Sequence, residues 1–293
     1  MIIMTKYFLQ VPEGLKKKVL DLADELGGDV IISGEACFGA CDIRPDEAKR
    51  LECDKIVHYG HAKFTDAGMP IEYREIREKI DFTPLLTKNF SKLEKYKSFG
   101  IVTTLQFLDC IKDLKDFLEK NGKKVIFGKG KKAVYEGQIL GCDPSAGTSI
   151  KEKVDCFLYL GSGMFHPLGL MLQTDKPVFI LDIERNELRD AAAYKDKFLR
   201  QKYAAIEIAK DAKKFGILVS TKPGQMNVDL AKKIRSKLIS QGKKAWILAF
   251  DEIMPEKLEY LDLDAYVNTA CPRIAIEDRT SFKKPILNPD ELP

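Results

Sequence analysis

Along the chain, short unbroken apolar runs alternate with longer stretches whose apolar positions recur at helical spacing, and the whole pattern occurs three times. The runs YFLQV, FGIVTT and FGILVS begin at Tyr7, Phe99 and Phe215. Amphipathic periodicity predicts a helix after each, over 13–26, 108–121 and 227–241. In the first, apolar residues fall at 15, 19, 20, 22, 23 and 26, one face of a helix. These stretches stop at Gly27-Gly28, Asn121-Gly122 and Gln241-Gly242, residues that suit a helix C-terminus. Second apolar runs follow (DVIIS, KVIFG, KAWIL), then third ones (DKIVHYG, DCFLYLG, DAYVNTA), then runs led by proline (PIEYREI, PVFILDI, PILN). Trp246, inside the run KAWIL, reads as core.

Spacing supports one register for the three copies. Asp54, Asp155 and Asp264 open the third runs, 101 and 109 residues apart, and Pro70, Pro177 and Pro285 open the fourth, 107 and 108 apart. Continuous apolar strands alternating with helices predict parallel sheets covered on both faces. The expected fold class is therefore α/β: three repeated small α/β domains with parallel four-stranded sheets, arranged around a pseudo-threefold axis. The repeat places them at residues 1–85, 86–190 and 191–293. Each is about a hundred residues, marginal for independent stability. In such sheets ligands bind beyond the carboxyl ends of the strands.

Bulk properties narrow the function. The net charge of +4 is small beside 48 basic and 44 acidic residues, and no basic stripe interleaved with aromatics suggests nucleic acid. The start, MIIMTKYFLQVP, lacks a secretory pattern, and no apolar run approaches the roughly 20 residues that span a bilayer. A cytoplasmic protein with no membrane contact is expected, where thiols stay reduced. Seven cysteines then point to metal or catalytic use for some of them.

Three cysteines stand out, each after a predicted strand: Cys41 in GACD, Cys142 in GCD and Cys271 in ACPR. Cys41 and Cys142 are 101 residues apart, in step with the repeat. Cys271 comes 129 after Cys142, because it follows the third strand rather than the second. Three thiolates without a fourth suggest a metal centre with one position open for chemistry, since structural zinc sites are closed by four ligands. Only Cys37 and Cys41 form a paired hook, and no second pair exists. Three widely separated thiolates therefore favour a 4Fe–4S cluster with one iron lacking a protein ligand. Cys53, Cys110 and Cys156 read as core. Cys37 is the alternative to Cys41 as ligand, or else a lining residue.

The residues around these positions resemble a known family. Gly34-Glu35-Ala36-Cys37-Phe38-Gly39-Ala40-Cys41-Asp42, His58-Tyr59-Gly60-His61, Gly137-Gln138-Ile139-Leu140-Gly141-Cys142, Gly163-Met164-Phe165-His166-Pro167, Gly224-Gln225 and Cys271-Pro272-Arg273-Ile274-Ala275-Ile276-Glu277-Asp278 resemble, in order, the signature blocks of the radical diphthamide synthase family. The likeness spans nearly the whole chain and is nearest to the compact archaeal form.

This resemblance implies a 4Fe–4S cluster held by Cys41, Cys142 and Cys271, with S-adenosylmethionine (SAM) at the open iron. It implies cleavage between sulfur and the methionine γ-carbon, and transfer of the 3-amino-3-carboxypropyl radical to a histidine of translation elongation factor 2. It also implies a homodimer and an external electron donor. The usual radical-SAM run C-x₃-C-x₂-C is absent, which is consistent with a different SAM pose. No acid–base side chain is expected as the main catalyst. Gly163 and His166, on a glycine-rich turn, are expected to hold SAM or else simply to shape a strand–helix turn. Gln225 and Arg273 are expected on the same edge, with Arg273 pairing either a ligand carboxylate or an interdomain acid. His58 and His61 either line the pocket or bond locally. Two other functions compete: a quinolinate synthase-like hydro-lyase using an open iron as Lewis acid, and a non-catalytic iron–sulfur partner or electron relay.

Overall fold

The computed structural model describes residues 5–292. Three sheets follow one another along the chain. The first comprises β1 (Lys6–Gln10), β2 (Asp29–Ile32), β3 (Lys55–Tyr59) and β4 (Ile71–Arg74). The second comprises β5 (Ser98–Thr103), β6 (Lys124–Ile126), β7 (Cys156–Leu160), β8 (Val178–Asp182) and β9 (Glu187–Asp190). The third comprises β10 (Lys214–Ser220), β11 (Lys244–Phe250), β12 (Ala265–Asn268) and β13 (Ile286–Leu287). Strand orders are β2-β1-β3-β4, β6-β5-β7-β8-β9 and β11-β10-β12-β13. Every pairing is parallel except β8 with β9.

The middle sheet thus carries a fifth strand that the repeat does not announce. It is a hairpin addition at an edge. Asn186 turns the chain at φ 51, and the buried Asp182 bonds Arg189 of β9. The helices lie close to their expected places: a 3₁₀ turn Glu13–Lys18 running into Val19–Leu26, a second turn Leu105–Cys110 into Ile111–Lys120, and Val228–Ser240. Gly27, Gly122 and Gly242 follow them at φ 66, 73 and 76, a backbone conformation that disfavours other residues.

The landmark aspartates and prolines are explained by hydrogen bonds that recur in each sheet. The carboxylate of Asp54 accepts the Lys6 N–H, that of Asp155 accepts the N–H groups of Lys97 and Ser98, and that of Asp264 those of Lys213 and Lys214, all at 2.8–2.9 Å. These backbone bonds hold the Asp155 and Asp264 carboxyls below their usual range. Each proline offers its carbonyl to the neighbouring strand: Pro70 to Ile56, Pro177 to Phe157, Pro285 to Tyr266. A proline has no N–H to donate, so it suits the first residue of a strand.

Each sheet is covered on both faces. In the second, Phe99, Ile101, Leu158 and Leu160 pack on one side with Leu114 and Leu118, while Val102, Phe157 and Tyr159 pack on the other with Leu168 and Leu170. Cys53 lies in the first sheet's core, and Cys110 and Cys156 in the second's, as expected. Trp246 corrects its sequence reading. It is 45% exposed, because it lies near the start of β11, an edge strand, where only one side of the strand has a neighbour. The described residues up to Glu78, with Lys222–Gly224, form one compact unit; Lys79–Thr221 and the residues from Gln225 onward form a second. Phe82, Leu85 and Leu86 pack into the second sheet's core. Among the described residues no helix is long and apolar enough to cross a membrane.

Gly100 and Gly216 occupy equivalent central-strand positions and face Phe157 and Tyr266 in register. A Cβ at Gly100 would lie 2.5 Å from the Phe157 ring, so the glycine makes room for the aromatic across from it. Gly100→Ala is expected to cost about 1–3 kcal/mol by overpacking. The measurement is a lowered denaturant midpoint at constant slope; an unchanged midpoint would refute this account of the glycine.

Candidate metal centre

Burial divides the seven cysteines cleanly. Cys37, Cys53, Cys110 and Cys156 are buried, whereas Cys41, Cys142 and Cys271 are half-buried. The thiolate is the form that binds metal, and burial in apolar surroundings opposes it. Burial pushes the Cys37 thiol up to about 12. Burial also raises Cys53, Cys110 and Cys156. The three half-buried thiols are the three that the sequence singles out, and each follows a strand of a different sheet.

Cys41 lies in the loop between β2 and the helix Pro45–Arg50. A turn closes there, with the Asp42 N–H donating to the Gly39 carbonyl at 2.9 Å. The buried Asp42 carboxylate accepts the Phe38 N–H at 3.2 Å and the Lys222 ammonium at 2.7 Å. Burial pushes the Asp42 carboxyl above its usual range, a shift that Lys222 opposes. The Gln10 amide, from the end of β1, donates to the Asp42 carbonyl at 2.6 Å. The Gly224 N–H donates to the Cys41 carbonyl at 3.0 Å.

His58 and His61 sit beside this loop. Their rings stack with centroids 5.1 Å apart, and His58 Nε2 lies 2.9 Å from His61 Nδ1. Cys41 Sγ and His61 Nε2 both border the space beside Gly39, 3.7 and 3.9 Å from where a Cβ would stand. Local hydrogen bonding and a place near Cys41 therefore hold together. Burial and the neighbouring ring lower His58 to about 3, and burial lowers His61 to about 4, so both are neutral at pH 7.

In the second unit, Cys142 caps a tight turn in which Leu140 and Asp143 exchange both backbone hydrogen bonds at 3.0 Å. Burial pushes Asp143 up, but the Ser145 hydroxyl and the N–H groups of Lys132 and Ser145 outweigh it, and the carboxyl stays low. The turn is tied to β5 by the bridge Thr103↔Gln138. Gly141 gives way to an aromatic ring: a Cβ there would fall 1.7 Å from Phe165. Cys271 follows β12. The buried Asn268 holds it, donating from its amide to the Cys271 carbonyl at 2.8 Å and to Asn288 at 3.0 Å. The Arg273 guanidinium lies 5.9 Å from the Phe165 ring centroid, so one ring adjoins both the Cys142 and the Cys271 segments.

Of the other candidates, Gly163 is exposed at φ 74, with nothing within 4 Å of a Cβ position. His166 is half-buried and lies nearly parallel to the Tyr159 ring, centroids 6.4 Å apart. Arg273 is exposed and pairs Glu277 of its own turn at 2.6 Å, not an acid of another repeat. Gln225 is half-buried in the turn before the helix Val228–Ser240. Sequence reading missed Lys222, Gln10 and Asn268. The signal available for Lys222 was a Lys-Pro-Gly turn directly after a buried strand.

Soft thiol donors in half-buried turns suit iron–sulfur chemistry. Among the described residues, no three His, Cys, Asp or Glu side chains gather tightly enough for a single metal ion. A cluster distributes its thiolates over different irons and makes no such demand.

Comparison with known proteins agrees. Residues 11–293 match the family model of the diphthamide synthesis protein. The 2-(3-amino-3-carboxypropyl)histidine synthase of Pyrococcus horikoshii is 34% identical, over 98% of this chain and 84% of its own. The protein of that name in Methanocaldococcus jannaschii is 32% identical, over 98% and 83%. A crystal structure of Dph2 from Pyrococcus horikoshii with a 4Fe–4S cluster superposes with a TM-score of 0.91 at 33% identity, covering 99% of this chain and 85% of that one.

The histidine pair makes stability depend on pH. Unfolded histidines titrate near 6.5, while His58 and His61 stay neutral to about 3 and 4. As pH falls below about 6.5 the unfolded chain binds protons that the native chain refuses, so this stability is present above that value and is lost toward pH 4. Denaturant stability should therefore fall between pH 7 and 4.5, and His58→Phe should flatten the fall. An equal slope in both proteins would contradict the buried neutral pair.

Proposed function

Because this chain belongs to the diphthamide synthesis protein family, we propose that it transfers the 3-amino-3-carboxypropyl group of SAM to a histidine of translation elongation factor 2 by a radical route, the first step of diphthamide synthesis. The observation that carries the site is the burial split: Cys41, Cys142 and Cys271 are half-buried while the other four cysteines are buried. In this reading the three repeats, residues 1–85, 86–190 and 191–293, each supply one thiolate to a 4Fe–4S cluster. The cluster, when bound, supplies an open iron and one electron for reductive cleavage of the sulfonium.

The chain's own part is binding and orientation. Asp42 and Asp143 sit beside their cysteines and fix the turns that present them. Asn268 does the same for Cys271. Cys41 is favoured over Cys37, whose buried thiol resists ionisation. Gly163 leaves its backbone open to close approach, and half-buried His166 lies over the buried Tyr159 ring. Arg273, which pairs Glu277, exchanges that partner for the SAM carboxylate in this reading, with Gln225 as a further polar contact. Neutral His61, backed by neutral His58, borders the Cys41 loop beside Gly39 without adding charge. The chain acts in the cytoplasm as a homodimer, with elongation factor 2 as protein substrate and a separate electron donor. The family match favours this reading over a hydro-lyase.

Anaerobic incubation of the reduced protein with SAM tests it. Methylthioadenosine together with aminocarboxypropyl-derived products is expected, and Cys142→Ala should abolish both. Release of 5′-deoxyadenosine, or no cleavage by a fully loaded protein, would overturn the proposal.

A further inference from the structure

Cys41 is held by a segment far away in sequence. Lys222, 180 residues on, buries its ammonium 2.7 Å from the Asp42 carboxylate, and the two side chains are 5% and 0% exposed. The same ammonium lies 5.0 Å from the centroid of the Phe38 ring. Two residues later, the Gly224 N–H bonds the Cys41 carbonyl at 3.0 Å. There is no space between these backbones: a Cβ at residue 224 would stand 2.4 Å from the Cys41 Cα and 2.8 Å from its carbonyl oxygen. Lys222–Gly224 belongs to the same compact unit as the Cys41 loop, although the chain on either side of it belongs to the other.

Each contact acts on a different part of the loop. The ion pair fixes the residue after Cys41, the ammonium meets one face of the Phe38 ring on the approach to Gly39, and the Gly224 bond fixes Cys41 itself. A buried charge pair is weak evidence for net stability, because desolvation offsets much of the attraction. Its geometry is nonetheless demanding, since either charge alone would be costly.

We propose that Lys222 and Gly224 are positioning residues that clamp the Cys41 loop in its ligand-presenting form. Lys222 acts through Asp42, and Gly224 acts by permitting backbone contact. The link to metal binding rests on the reading of Cys41 as a cluster ligand, whereas the clamp itself is a property of the loop and can be measured without a cluster.

The test compares full-length wild type, Lys222→Met, Gly224→Ala and the double variant Asp42→Asn/Lys222→Met, all stripped of metal. Iodoacetamide labelling of each cysteine is followed by mass spectrometry, with Cys142 and Cys271 as internal references. Cys41 should label about tenfold faster in all three variants, the effect of losing a charge-assisted or tightly packed contact, while Cys142 and Cys271 keep their wild-type rates. The double variant carries no unpaired buried charge, so it should melt nearer to wild type than Lys222→Met yet still label fast at Cys41. An unchanged Cys41 rate in the folded double variant would overturn the clamp. So would an equal rise at all three cysteines, which would indicate general loosening. After anaerobic reconstitution, iron content should drop in the clamp variants and in Cys41→Ala alike. A Cys41→Ala protein that keeps its full iron would reject Cys41 as ligand and leave the labelling result standing.

Discussion

Parallel pairing is the constraint from which the rest of the molecule follows. Parallel strands need a crossover between each pair, so their carboxyl ends, and the loops that leave them, collect along one edge of the sheet. In all three sheets the first strand of the repeat is central and the second and third lie on either side of it. A side chain placed after the second strand therefore emerges at the same edge as one placed after the third. This is why the third repeat can carry its cysteine after β12 rather than after β11. The loop after β11 is short, from Phe250 to the helix Pro255–Leu258, while the segment after β12 has room for a turn held by Asn268.

Much of this fold was legible in the sequence because its landmarks mark hydrogen bonds. The aspartates recur since each receives the N–H groups that begin a central strand, and the prolines since each leads the fourth strand of its repeat with a carbonyl and no donor. Such residues leave a spacing that can be counted. The strand β9 left none: it is a local hairpin closed by Asn186 and by the Asp182–Arg189 pair, and it breaks no repeat distance. Trp246 was misread because an apolar run does not reveal whether its strand is central or at an edge.

The site was legible in part for a related reason. Cys41, Cys142 and Cys271 stand among glycine, proline and aspartate in the segments that follow strands, and the half-burial of these three separates them from the buried cysteines. Lys222 was hidden. A lone lysine in a turn looks like any solvated lysine until the fold brings it to Asp42. Phe165 was visible within a motif, but its contacts with Gly141 and Arg273 depend on folding.

The proposed function rests on cluster binding by the three half-buried thiols and not by the buried four. Iron and sulfide counts on anaerobically reconstituted single cysteine-to-alanine variants test it most directly. The account predicts 4Fe–4S stoichiometry in wild type and in the Cys37, Cys53, Cys110 and Cys156 variants, with loss of bound iron in each of the Cys41, Cys142 and Cys271 variants. Full loading without Cys41, Cys142 or Cys271, or loss of the cluster on removing Cys37 alone, would contradict it.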